Sequence, residues 1–89
     1  MEIKYHPLVV KIDIPKLDKS IRHRIKSAIY EKLGTRPEFY GIPLRHNLQN
    51  LRKVRAGDYR IVFLLQKEII FIVAIAHRKD IYKITERRI

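Results

Sequence analysis

Three apolar segments in the second half of the chain restrict its fold more than any other feature. They cover residues 51–56, 59–66 and 69–76 and are rich in Val, Ile, Phe and Tyr, which favour strands. Gly57-Asp58 is a strong two-residue hairpin signal between the first two segments, and residues 66–68 form a weaker turn signal before the third. The last two segments are apolar on both faces, as central strands are. The sequence therefore predicts an antiparallel three-stranded meander.

The first half of the chain is predicted to supply one short strand and two helices. Residues 1–5 include a strand-like alternation, and HPLVVKIDI reads as a short helix that Pro15 ends or kinks. Asp18 or Ser20 can cap a second helix, in which apolar residues recur at helical spacing and which Gly34 can end. The segment GTRPEFYGIPL holds two glycines and two prolines, so we expect a loop there.

Together these segments indicate an α+β fold. We expect a short N-terminal strand, two helices packed on an antiparallel sheet of about four strands, and a short C-terminal helix or tail formed by HRKDIYKITERRI. The helices would cover one face of the sheet, and the other, partly open, would carry the function. No repeat or low-complexity tract interrupts the pattern, so residues 1–89 are predicted to be one domain.

Composition excludes several classes of protein. The chain has no cysteine, so we expect neither disulfides nor a thiolate metal site. Its histidines lack metal-ligand spacing, and its nine acidic residues form no cluster that would hold Mg²⁺, so we expect no metal and no cofactor. No segment reads as a signal peptide, and the most apolar stretch is too short and interrupted to cross a bilayer. We therefore expect a cytoplasmic protein with no membrane partner.

The charge of the chain points to a polyanionic partner. Twenty Lys and Arg against nine Asp and Glu give a net charge of +11 on 89 residues. A compact domain with this excess favours nucleic acid, with an acidic protein or lipid surface as weaker alternatives. A merely solubilising basic surface is the remaining interpretation.

Part of this charge is predicted to converge at the Gly57-Asp58 hairpin. Strand alternation puts Lys53 and Arg55 on one face, and a two-residue loop puts Arg60 directly opposite Arg55. Like charges in opposed strand positions repel, and a bound phosphate between them would offset that repulsion. The third strand then delivers His77 and Arg78 nearby. Charged hairpin tips that discourage aggregation are the alternative explanation.

The same residues could cleave RNA, which carries its own nucleophile in the 2′-hydroxyl. Such a reaction needs a base, positive charge on the phosphorane and an acid for the leaving oxygen. Lys53 is the candidate base, and the arginines of the cluster supply the charge. Tyr82 could stack on a base or stabilise the transition state, or simply pack on the sheet. His77 could serve as the acid or be structural. DNA lacks the internal nucleophile, so this set of side chains favours RNA as the substrate.

These residues also carry a family resemblance. PLRHNLQNLRKVRAGDYRIVF, followed by AIAHRKDIY, resembles the RelE/ParE superfamily of bacterial and archaeal toxins from toxin–antitoxin pairs. The resemblance implies the RelE-like microbial ribonuclease fold and an endonuclease that cuts messenger RNA in the ribosomal A site. It also implies a cognate antitoxin, which we expect to be acidic and partly disordered because it would wrap a strongly basic domain.

The resemblance assigns roles to individual positions. The family's catalytic positions fall on Lys53, Arg55, Arg60, Arg78 and Tyr82. At the position of Arg55 the family usually has lysine. YoeB-like relatives use a glutamate as base near the position of Ile42, so the resemblance favours the Lys/Arg type of mechanism. Four flanking basic residues are expected to bind RNA: Arg45, Arg52, Lys79 and Lys83.

Two other functions remain open at this point. A ParE-like toxin would bind DNA gyrase and cleave nothing, although such members generally lack the full basic set with its terminal tyrosine. A catalytically silent RNA-binding domain would keep the basic cluster and show no turnover. The RelE-type endonuclease is the interpretation that we favour.

Overall fold

The fold was obtained as a computed structural model that describes residues 2–34, 42–43 and 51–89. Its sheet is built from β1 (Glu2–Tyr5), β2 (Ile42–Pro43), β3 (Leu51–Ala56), β4 (Tyr59–Gln66) and β5 (Ile69–His77), in the order β1-β5-β4-β3-β2. β1 runs parallel to β5, and the other neighbours are antiparallel. Because β2 has only two residues, four strands make up most of the sheet, and the predicted α+β class is confirmed.

The predicted meander is confirmed with its register. Arg55 lies opposite Arg60 and Ala56 opposite Tyr59, so Gly57-Asp58 is the two-residue turn of the β3–β4 hairpin. Gly57 has a φ of +64°, a conformation that glycine adopts without steric cost. β5, β4 and β3 each lie between two other strands, and β4 and β5 are apolar on both faces because both faces of the sheet are covered there.

The first helical segment differs from the prediction. A π-helical turn over Val9–Asp13 leads directly into α1 (Ile14–Lys16), so the helix continues through Pro15 rather than ending there. Pro15 has no N–H to donate back to the preceding turn, and the helix ends one residue later at Lys16, after which Leu17 is extended.

The second helical segment follows the prediction closely. α2 (Lys19–Ala28) is capped by Asp18, whose carboxylate accepts a hydrogen bond of 3.0 Å from the Ile21 N–H. Hydrogen bonding from the Ile21 N–H, and then from the Ser20 hydroxyl, lowers the pKa of Asp18. A π-helical turn over Ile29–Leu33 extends the segment up to Gly34.

Helices cover both faces of the sheet. α1 and α2 pack on one face, where the core includes Val9, Leu17, Ile25, Ile29, Leu33, Val54, Ile61, Phe63, Ile70, Ile72 and Ile75. α3 (Ile81–Arg88) packs on the other through Ile81, which is buried against Val62, Ala74 and Ala76. The C-terminal segment is thus a helix, and the second face is open only where α3 does not cover it. In the described part of the chain, no helix is both long and apolar enough to cross a bilayer.

A buried ion pair completes one edge of the sheet. β1 pairs with β5 only as far as Ile72, and none of the described strands lies beside the rest of that β5 edge. There the Asp13 carboxylate accepts a hydrogen bond of 2.8 Å from the Ile75 N–H, and Arg88 Nη1 donates one of 3.0 Å to the Val73 carbonyl. Asp13 and Arg88 thereby occupy backbone groups that a longer β1 would otherwise have paired.

Candidate functional site

Arg55 and Arg60 meet at the carbonyl group of Gly57. Arg55 Nε donates a hydrogen bond of 3.1 Å to that oxygen, and Arg60 Nη1 donates one of 3.0 Å to the same atom. Arg60 Nη1 also contacts the Tyr59 carbonyl oxygen at 3.0 Å. Partial negative charge on these carbonyls offsets part of the repulsion between the two guanidinium groups. The remaining N–H groups of each fork stay available to an anion.

Lys53 lies on the same face as Arg55 and reaches α3. Its Nζ donates a hydrogen bond of 2.9 Å to Tyr82 Oη and lies 5.0 Å from the centroid of the Tyr82 ring. Both side chains are partly buried, and the ring packs beside the core under α3. The alternative that Tyr82 only packs on the sheet is therefore incomplete, because its hydroxyl group also contacts the lysine.

Arg78 approaches the hairpin turn from the end of β5. Its backbone N–H donates a hydrogen bond of 2.8 Å to the Asp58 carbonyl, and its side chain is exposed. Lys79 follows it, also exposed, and Lys83 is exposed on α3 directly after Tyr82. The structure thus brings six basic residues of the predicted set to one end of the sheet, together with Tyr82: Lys53, Arg55, Arg60, Arg78, Lys79 and Lys83.

Two predicted residues lie on the other face of the sheet. His77 is opposite Tyr59 in the β4–β5 register, and their rings contact edge to face with centroids 5.6 Å apart. Tyr59 packs against the core under α1 and α2, so His77 is not placed with Lys53. Strand alternation likewise directs Arg52 away from the face of Lys53 and Arg55. Arg45 lies outside the described residues.

One basic residue at the hairpin was not found from the sequence. Arg24, on α2, places Nη1 2.7 Å from the point that a Cβ on Gly57 would occupy. From the sequence, Arg24 is one of several cations off the apolar stripe of α2. Only the packing of α2 on β3 distinguishes it, so helical periodicity alone carries no signal for it.

In the described part of the chain, the position that corresponds to the YoeB-type base holds no acidic residue. Position 42 is directly opposite Lys53 in the β2–β3 register, and the residue there is isoleucine. Among the described residues, no group of three His, Cys, Asp or Glu is arranged to hold a metal ion. The described side chains at this end of the sheet are cations and a phenol, groups that can bind phosphate and transfer protons.

The chain matches the model of the ParE toxin of the type II toxin–antitoxin system parDE over residues 3–82. It is 30% identical over 91 residues to Toxin RelE of Mycobacterium tuberculosis, covering 93% of this chain and 94% of that protein. The family model and the relative are both named as toxins. The chain belongs to the RelE/ParE superfamily and is a RelE-like toxin.

Solved structures support the same fold. The RelB–RelE antitoxin–toxin complex of Methanococcus jannaschii includes a chain with 27% identity and a TM-score of 0.67, with coverage of 90% of this chain and 95% of that one. A mutant of the E. coli toxin RelE in the free state gives a TM-score of 0.73 at 21% identity, with coverage of 99% and 96%. At that identity, the second likeness concerns the fold alone.

Proposed function

We propose that this protein is a ribosome-dependent messenger RNA endonuclease that cleaves in the A site and thereby blocks translation. The observation that carries the proposal is the Lys53–Tyr82 hydrogen bond of 2.9 Å, on the same sheet face as Arg55 and Arg60. A proton-transferring pair beside a phosphate-binding group is what cleavage by an internal 2′-hydroxyl requires. Residues 1–89 would act as one domain, in the cytoplasm where the ribosomes are.

In the proposed reaction, the 2′-oxygen attacks the adjacent phosphorus. The O2′–P bond forms and the P–O5′ bond breaks, which gives a 2′,3′-cyclic phosphate and a 5′-hydroxyl. Lys53 acts as the base in this proposal: its nitrogen takes the 2′-hydroxyl proton while one N–H still contacts Tyr82. The Tyr82 hydroxyl gives its proton to the leaving 5′-oxygen. The proton then returns from Lys53 to Tyr82 across their hydrogen bond.

The arginines stabilise the charge that develops on the phosphorane. Arg55, Arg60 and Arg78 lie around the hairpin turn, and their guanidinium groups suit bidentate phosphate contacts. Preorganised donors of this kind typically contribute about 10²–10³-fold each to the rate. Lys79 and Lys83 would contact RNA beside the site. His77 has no step in this mechanism because it contacts Tyr59 on the opposite face.

The test is primer extension on a message in a purified translation system. We expect the wild type to cut only when ribosomes are present, and Arg78→Ala to lose roughly 100-fold or more of the rate. Arg87→Ala removes the same charge from an exposed position on α3 and serves as the control. An intact message with the wild type, or equal loss in both variants, would contradict the proposal.

A gyrase-binding toxin is the second candidate, because the matching family model describes ParE. Such a protein would inhibit DNA supercoiling by gyrase and leave the message intact. The Lys53–Tyr82 pair favours the nuclease, since binding gyrase requires no proton transfer. A supercoiling assay run beside primer extension separates the two candidates. Binding of RNA with neither activity would indicate a silent RNA-binding domain.

A cognate antitoxin is the proposed protein partner. The structure from Methanococcus jannaschii is a RelB–RelE antitoxin–toxin complex, and a structural neighbour from Mycobacterium tuberculosis is the toxin–antitoxin complex RelBE2. With +11 on this chain, an acidic and partly disordered antitoxin would bind with strong salt dependence. Titration calorimetry at low and high salt tests this, and an affinity that salt leaves unchanged would exclude an electrostatic role.

A further inference from the structure

Gly57 has arginine on both sides of the hairpin turn. On the face that α2 covers, Arg24 Nη1 is 2.7 Å from the position that a Cβ of Gly57 would take, so the guanidinium rests on the turn itself. On the opposite face, the Gly57 carbonyl accepts hydrogen bonds from Arg55 and Arg60. Glycine allows this approach because it has no side chain to separate Arg24 from the backbone.

The guanidinium group of Arg24 has no partner of its own in the described part of the chain. It makes no hydrogen bond and no ion pair there, even though Asp58 is the next residue after Gly57. Its side chain is exposed and its charge adds to that of Arg55 and Arg60. Holding another cation against this turn is unfavourable in the empty protein, and an anion that bridges the turn would reverse that effect.

We propose that Arg24 is an RNA-binding residue that contacts a backbone phosphate other than the scissile one. The RNA strand would then cross the tip of the β3–β4 hairpin, from the face of Arg55 and Arg60 to the face of Arg24. This inference rests on the proposed nuclease function, because it extends the path of the same substrate. Guanidinium suits the role because its planar fork pairs with two phosphate oxygens.

The first test measures binding without cleavage. The probe is a fluorescent single-stranded RNA of roughly 12 nucleotides, methylated at every 2′-oxygen so that it has no nucleophile. We expect Arg24→Gln to weaken binding about tenfold, and to reduce the slope of log affinity against log salt by about 0.7. A DNA strand of the same sequence should show the same loss, because a phosphate contact does not depend on the sugar.

Lys26→Gln is the matched control. Lys26 is exposed on the same helix and carries the same charge, but it lies two residues on, about 200° around the helix from Arg24. We expect this variant to change the affinity less than about twofold. Arg24→Lys, which keeps the charge and loses the fork, should fall between wild type and Arg24→Gln.

The outcomes separate this inference from the proposed function. Equal effects of Arg24→Gln and Lys26→Gln would overturn the role of Arg24. If the wild type binds the probe through Arg24 but cuts no message on ribosomes, the nuclease function fails and the binding site stands. If the wild type cuts messages, Arg24→Gln should raise KM and leave kcat unchanged, and a fall in kcat alone would contradict a contact remote from the scissile phosphate.

Discussion

Asp13 and Arg88 form a two-pronged ion pair inside the protein. Arg88 Nη1 and Nη2 each donate a hydrogen bond of 2.7 Å to one carboxylate oxygen of Asp13, and the two side chains are only 3% and 6% exposed. Each partner also contacts the backbone of β5, so the pair joins the segment before α1 and the end of α3 to the sheet edge. Removing one partner would leave the other charge buried and unpaired.

We therefore expect Arg88→Met to lower the free energy of unfolding by about 3–5 kcal/mol. Arg87→Met, at the exposed neighbouring position, should change it by less than about 0.5 kcal/mol. Urea unfolding followed by circular dichroism measures both. Equal midpoints for the two variants would contradict a structural role for the pair.

Tyr82→Phe tests the proposed proton transfer. The change removes the hydroxyl that contacts Lys53 at 2.9 Å and keeps the ring that packs beside Ile81. We expect cleavage on ribosomes to fall by roughly 100-fold, while the free energy of unfolding changes by no more than about 1 kcal/mol. Tyr30→Phe removes a hydroxyl from a residue that is 59% exposed and should leave cleavage unchanged.

Gly57 should tolerate asparagine better than alanine. Its φ of +64° is a conformation that costs most residues about 1–2 kcal/mol, and asparagine adopts it more readily than alanine. The added Cβ would also meet Arg24 Nη1, but that is the end of a flexible side chain and can move. Thermal unfolding should place Gly57→Asn between wild type and Gly57→Ala. The reverse order would show that contact with Arg24 outweighs the backbone conformation.

The cap of α2 should make stability depend on pH in the acid range. Because hydrogen bonding lowers the pKa of Asp18 in the folded state, its contribution is complete above the ordinary carboxyl pKa of 3.8 and is lost as the pH falls through the folded value. Asp18→Asn keeps a capping oxygen that does not titrate. The free energy of unfolding of the wild type, relative to that of Asp18→Asn, should therefore decrease from neutral to strongly acidic pH. Urea midpoints at both pH values measure it.

Local patterns predicted much of this fold. The Gly57-Asp58 turn set the register that places Arg55 opposite Arg60, and Asp18 was correctly among the expected caps. These features depend on residues that are close in sequence. The chemistry of turns and helix caps determines their geometry directly. The Lys53–Tyr82 contact was predicted only as shared membership of a site, because α3 brings Tyr82 there through packing.

Features that depend on distant segments were not predictable in the same way. β5 is apolar on both faces, so no alternation in its sequence indicated that His77 would point toward Tyr59. The pairing of β1 parallel to β5 depends on the path of the intervening helices. Asp and Arg are usually exposed, so the sequence alone gives no sign that Asp13 and Arg88 form a buried pair.

The sequence separation of that ion pair has a consequence for how long the folded protein persists. Asp13 and Arg88 are 75 residues apart, and the chain must close this long loop before the pair contributes any stability. We therefore expect the pair to form after the folding transition state. Its loss should then speed unfolding and leave the folding rate almost unchanged. The lifetime of the folded toxin, rather than the speed of its formation, would depend on this contact.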